Sequence, residues 1–206
     1  MPALFIAVFS AAILYAVFFI VPPAEGLGNL VRIAFFHIPV AWISVLAFLM
    51  SAWWAAAYLR HKNMQSDLLS ACSAQLGFVF VLLASVSGAV FAKLTWGAWW
   101  NWDPRQTTIF VLILIYGAYL TLRASVTDAR RRAQLAAVYS LLSCICVPFL
   151  VFVIPRFYFS LHPSPLINSG GRIDMDPIML AVLAAALIDM TCIYFWLLFR
   201  RCRRRE

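Results

Sequence analysis

The chain has 206 residues, 65% of them apolar and 12% charged, against about half and about a quarter in a soluble globular domain. That composition excludes a soluble core, and the apolar runs are continuous rather than alternating, which excludes a membrane β-barrel. The net charge of +8 admits nucleic acid as a partner, but the placement of the basic residues points to a membrane topology signal instead.

Six apolar runs cover roughly residues 3–21, 36–59, 68–92, 107–123, 134–154 and 178–199. Each is long enough to span about 30 Å of hydrocarbon at about 1.5 Å per residue. The reading is an all-α integral membrane protein with six transmembrane helices, forming a single polytopic unit over residues 1–206. The first run has no basic stretch before it and is followed by Pro22-Pro23-Ala24-Glu25, so it reads as helix one rather than a cleavable signal. With six spans the termini share a side. That side carries eleven basic residues: Arg60, Lys62, Arg123, Arg130, Arg131, Arg132, Arg200, Arg201, Arg203, Arg204 and Arg205. The other carries Arg32, Lys93, Arg105, Arg156 and Arg172. The positive-inside rule puts both termini in the cytoplasm, and the C-terminal arginines read as a topology anchor that meets anionic lipid.

The connections on the cytoplasmic side, Arg60 to Asp67 and Arg123 to Arg132, are short and polar. The external side is richer. It holds Val21 to Phe35, then the segment joining helices three and four, then the long loop from Pro155 to Pro177 with Pro163, Pro165, Gly170 and Gly171. Loops of that length in compact proteins are often functional. His37 lies at the external end of helix two and His162 in the last loop, while His61 belongs to a cytoplasmic turn.

Between helices three and four runs Trp96-Gly97-Ala98-Trp99-Trp100-Asn101-Trp102-Asp103-Pro104-Arg105-Gln106-Thr107, with half of the chain's eight tryptophans in seven residues. Trp96, Trp99, Trp100 and Asp103 are spaced i, i+3, i+4, i+7, which predicts a short interfacial helix with an aromatic face. Pro104 predicts a break, with Asp103 as N-cap of helix four and Gln106 placed for a capping box. An ordinary aromatic belt is the bland alternative and suits Trp42, Trp53, Trp54 and Trp196.

A flat aromatic surface beside two external histidines suits a large planar ligand whose metal already has four nitrogens and needs two more. Haem fits that description, with His37 and His162 as axial ligands. Zinc fits less well, because it wants three or four protein ligands. Propionates need cations, and arginine meets a carboxylate with a two-pronged hydrogen bond; the external arginines, Arg105 among them, are candidates. There is no Cys-x-x-Cys-His, so haem would be held non-covalently, and Cys72, Cys144, Cys146, Cys192 and Cys202 form no disulfide framework. Asp189 sits mid-helix at a cost of about 2.5–3.5 kcal/mol and reads as a packing or partner contact, either protonated or hydrogen-bonded to a group such as Gln75 or a serine.

The pattern W-G-x-W-W-x-W-D-x-R-x-T from Trp96 to Thr107, with six spans, a histidine at the start of helix two and Leu161-His162-Pro163 before helix six, resembles the tryptophan-rich WWD superfamily of cytochrome c maturation proteins, in its CcmC branch. Pro104 and Gln106 are similar to the sister CcsA branch. The resemblance implies that His37 and His162 hold the iron of a b-type haem, and that Trp96, Trp99, Trp100, Trp102 and Asp103 form its platform. It implies haem delivery at the periplasmic face of the bacterial inner membrane to the chaperone CcmE, alongside the ABC-type CcmA and CcmB and the small membrane protein CcmD. On this reading the chain is not an enzyme in the usual sense. The rival readings are a CcsA-like synthase attaching haem to apocytochrome, a cytochrome b-like electron carrier, and a haem channel.

Overall fold

A computed structural model describes residues 2–162 and 175–203, all helix and connecting segments with no strand among them. The helices are α1 (Pro2–Phe19), α2 (Ala34–His61), α3 (Met64–Trp96), α4 (Pro104–Ser125), α5 (Ala129–Phe157) and α6 (Pro177–Arg203). Five are long and apolar enough to cross a membrane; α1 is a shorter apolar helix, about 27 Å at 1.5 Å per residue. A 3-10 turn, Asn29–Ile33, leads directly into α2. Part of the last external loop, with Pro163, Pro165, Gly170, Gly171 and Arg172, and the terminal Arg204 and Arg205 lie outside the described residues.

The helices outrun their apolar stretches because polar residues start them. Asn63 accepts a hydrogen bond from the Gln65 N–H at 3.0 Å to cap α3, and Asp128 accepts from the Arg131 N–H at 2.7 Å to cap α5. In α5, Pro148 supplies no N–H, and the next turn, Phe149–Val153, widens to π geometry.

α2 and α3 form the centre and pack along each other most extensively, with α4 and α5 on one flank and α1 and α6 on the other. The largest cluster joins Phe48, Val81, Leu112, Tyr116, Tyr119 and Val147 from α2 to α5. The Phe48 and Tyr116 rings stack with centroids 3.4 Å apart. Gly77 permits this: a Cβ there would lie 2.6 Å from Phe48 Cε1. A second cluster seats Tyr194 and Leu198 of α6 against α2 and α3.

Polar groups also stitch the bundle. Ser51 of α2 hydrogen-bonds Ser70 of α3 at 3.2 Å and Ser140 of α5 at 3.1 Å, and Ser73 meets the Tyr194 hydroxyl at 2.6 Å. Asp67 does not belong to a polar turn, as the sequence suggests. It is buried in α3 and takes a two-pronged bond from Arg123 of α4, at 2.6 and 2.8 Å. Asp189 is satisfied on one oxygen by a serine, Ser10 of α1, at 2.7 Å; Gln75 instead accepts from Arg201.

One local expectation fails. The tryptophan segment is not a short helix. α3 ends at Trp96, Gly97 takes the left-handed conformation (φ 82°), and residues 98–103 run as an irregular loop. Glycine is the residue that adopts this geometry without steric cost, and it ends helices for that reason. The helical spacing of Trp96, Trp99, Trp100 and Asp103 therefore never shares a helix face.

Candidate functional site

The C-terminal ends of α3 and α5 meet the N-terminal ends of α2 and α4 at one end of the bundle, and the predicted residues gather there. Asp103 is their hub. As N-cap of α4 its Oδ1 accepts from the Arg105 N–H at 2.9 Å. Its Oδ2 accepts from the Ser160 hydroxyl and the Leu161 N–H, both at 2.8 Å, and Oδ1 also faces His162 Nδ1 at 3.1 Å. One carboxylate thus joins the start of α4 to the segment after α5, across nearly sixty residues of chain.

Burial opposes charge on Asp103, but the hydrogen bonds from the Arg105 N–H, Ser160 and the Leu161 N–H outweigh it, with His162 adding; the carboxyl is held below its ordinary range. An ionised carboxylate only accepts, so His162 donates from Nδ1 and keeps its lone pair on Nε2. Burial is the largest influence on His162 and pushes its pKa below the usual histidine value, with Arg105 adding and Asp103 opposing. The ring is therefore neutral at pH 7, as a metal ligand must be.

His37 reaches the same arrangement by another route. Its Nδ1 lies 2.9 Å from the Ser87 hydroxyl. That hydroxyl has one proton, and the backbone carbonyls of Leu83 (2.9 Å) and Ala84 (3.1 Å) both lie within its reach. With that proton on a carbonyl, Nδ1 is the donor and Nε2 again carries the lone pair. His37 is close enough to His162 and Arg105 for their charges to interact.

The tryptophans divide. The Trp96 ring meets the His162 ring edge-on at 4.9 Å. Trp99, Trp100 and Trp102 are turned outward, 58%, 40% and 77% exposed. Trp100 meets Trp102 and Phe110 edge-on, at 5.7 and 6.0 Å. Trp102 has a φ of 54°, a conformation that a bulky side chain rarely adopts. Gln106 does not close a capping box. Its side chain accepts from the Asn101 N–H at 2.9 Å and donates to the Trp99 carbonyl at 3.3 Å, bracing the loop that carries the indoles.

The external cations also separate. Lys93 donates to the Gly97 carbonyl at 2.9 Å, and Arg32 lies over the Phe18 ring. Arg105 is different: its Nε is buried with no hydrogen-bond partner among the described residues, and Arg156 lies near enough to repel it. Arg105 thus lies close enough to both histidines for their charges to interact, with Arg156 as its neighbour. Among the described residues no group of three or more His, Cys, Asp or Glu side chains could hold a bare metal ion.

Comparison with known proteins gives the family. The profile of the Heme exporter protein C (CcmC) family matches residues 1–205. The chain belongs to the CcmC family. A Heme exporter protein C of Bradyrhizobium diazoefficiens is 29% identical over 167 residues, covering 81% of this chain and 63% of the relative. One from Paracoccus denitrificans is 30% identical over 159 residues, covering 77% and 64%. A "cytochrome c biosynthesis ccmC-like mitochondrial protein" of Marchantia polymorpha is 27% identical over 188 residues, covering 90% and 79%. The chain thus spans slightly under two thirds of the length of those bacterial CcmC proteins.

Sequence reading missed Ser160 and Ser87 as site residues. Ser160 lay two residues from a singled-out histidine, but Ser87 has no local signal at all; only the packing of α3 on α2 brings it to His37.

Proposed function

We propose that this CcmC-family chain binds b-type haem as cargo at the periplasmic face of the inner membrane and passes it to a haem chaperone of the CcmE kind for c-type cytochrome biogenesis. The observation that carries this reading is the pair of imidazoles. Both set Nδ1 against a polar partner inside the protein, Ser87 for His37 and Asp103 for His162, which supports Nε2 as the ligating nitrogen of each. Two such ligands, rather than three or four, suit an iron already ringed by a porphyrin.

The remaining groups fit the same cargo. Trp96, Trp99, Trp100 and Trp102 supply aromatic surface, and burying a porphyrin face at about 25 cal/mol per Å² gives several kcal/mol before association entropy is subtracted. Arg105 and Arg156 supply cations for propionates; Arg105 Nε, without a partner among the described residues, is the group to which a carboxylate would bring a hydrogen bond. Asp103 holds His162 in its ligating tautomer and joins its segment to α4. The basic residues at the opposite end of the bundle, Arg60, Arg123, Arg130 to Arg132, Arg200 and Arg201, support cytoplasmic termini and a periplasmic haem site. CcmA, CcmB and CcmD are the partners this assignment brings with it.

The test is transfer. The full chain in nanodiscs, loaded with haem, is mixed with a CcmE-type chaperone or with an apocytochrome. Haem moving to the chaperone alone supports delivery. Haem attached to apocytochrome without the chaperone overturns it in favour of a CcsA-like synthase.

A further inference from the structure

We propose that Ser87 is a positioning residue for His37: its hydroxyl fixes the imidazole as the Nδ1–H tautomer, and the side-chain-free backbone of Gly88 makes room for the ring. This inference rests on the reading of His37 as an iron ligand. The Ser87 hydroxyl lies 2.9 Å from Nδ1, and its proton has the carbonyls of Leu83 and Ala84 within reach, an arrangement in which the oxygen is free to accept from the imidazole; the Ala84 carbonyl is a further hydrogen-bond partner of His37. A serine that only back-bonds its own helix needs no partner on α2. Gly88 adds a second, independent constraint. A Cβ at that position would stand 3.1 Å from Cε1 and 3.7 Å from Nδ1 of His37, tighter than ordinary contact at the first atom. Ring, hydroxyl and glycine thus form one fitted seat.

The seat sits on the most extensively packed helix pair of the bundle, α2 with α3. The other imidazole is built differently. His162 lies on an irregular segment and donates to the ionised Asp103, while His37 donates to a neutral hydroxyl. A carboxylate on Nδ1–H raises the donor strength of Nε2; a hydroxyl does so far less. His37 is therefore held by position and His162 by charge.

The experiment uses the full chain purified in detergent and titrated with haem, read by binding affinity and by the balance of low-spin and high-spin absorption. Ser87→Ala is expected to weaken haem binding about tenfold, the lower end of outer-shell effects at metal sites, and to raise the high-spin fraction. Ser87→Thr, which keeps the hydroxyl, is expected to stay within about twofold of the parent. Should Ser87→Ala not accumulate, Ser87→Cys, similar in volume and a weak acceptor, replaces it in the comparison. Parent-like binding by the variant without the hydroxyl overturns the proposal, as does equal weakening by Ser87→Thr. His37→Ala separates the layers. If it is parent-like, the ligand reading fails and this proposal with it. If it loses the low-spin form while Ser87→Ala does not, only the role of Ser87 fails.

Discussion

Replacing Asp103 by asparagine removes one charge and changes almost no volume, which makes it the sharpest probe of how His162 is held. The carboxylate accepts four hydrogen bonds: from the Arg105 N–H at 2.9 Å, Ser160 at 2.8 Å, the Leu161 N–H at 2.8 Å and His162 Nδ1 at 3.1 Å. An amide has one accepting oxygen and one donating nitrogen. With the oxygen on the Arg105 side, the NH2 meets the Leu161 N–H, donor against donor, and the segment carrying His162 is released. With the amide flipped, the NH2 meets the Arg105 N–H and faces His162, which must move its proton to Nε2 and block its own lone pair. Either orientation leaves a partly buried backbone N–H without an acceptor, at about 1–3 kcal/mol. Taking about 2 kcal/mol as the loss of the ligating arrangement, apparent haem affinity falls about 30-fold. The assay is haem titration of the purified variant, with thermal melting as a check on folding. Asp103→Asn binding haem within about twofold of the parent, with the same low-spin spectrum, would falsify the role given to this carboxylate.

Three further outcomes follow from the same geometry. Because burial lowers the pKa of His162 below its ordinary 6.5, the imidazole stays neutral as pH falls through that value; haem affinity should be flat from pH 8 to about 6.5 and weaken only on further acidification, and a midpoint at or above 6.5 in a haem titration series would contradict it. Gly77→Ala places a methyl 2.6 Å from the Phe48 ring, which cannot retreat from its stack on Tyr116, so detergent-solubilised protein should lose about 1–3 kcal/mol of stability. Arg123→Ala strands the buried Asp67 carboxylate and should cost about 3–5 kcal/mol; the double change Asp67→Asn with Arg123→Gln should recover part of it, read as melting temperature in the same detergent.

Much of the fold was legible because hydrocarbon demands long apolar helices, and six runs of them stand out in the chain. Their ends were less legible: α3 and α5 begin four or five residues earlier than their apolar stretches, since Asn63 and Asp128 cap polar first turns. The cap at Asp103 could be read because Pro104 fixes where α4 begins. The tryptophan spacing misled, although Gly97 carried the opposing signal of a helix terminator. What sequence could not provide is tertiary pairing. The Asp67 bond to Arg123, the serine contacts of Ser51 with Ser70 and Ser140, and the seat of His37 on Ser87 join residues far apart in the chain. No local pattern encodes those distances; they exist only once helix faces meet.

The central claim is that two imidazoles, His37 and His162, present Nε2 to one iron. It is tested most directly by the absorption and electron paramagnetic resonance spectra of the haem-loaded chain, compared across the parent, His37→Ala, His162→Ala and the double variant. The account predicts a low-spin, six-coordinate signal in the parent, a high-spin signal or reduced occupancy in each single variant, and no retained haem in the double variant. A low-spin, bis-histidine signal that survives in either single variant would contradict it.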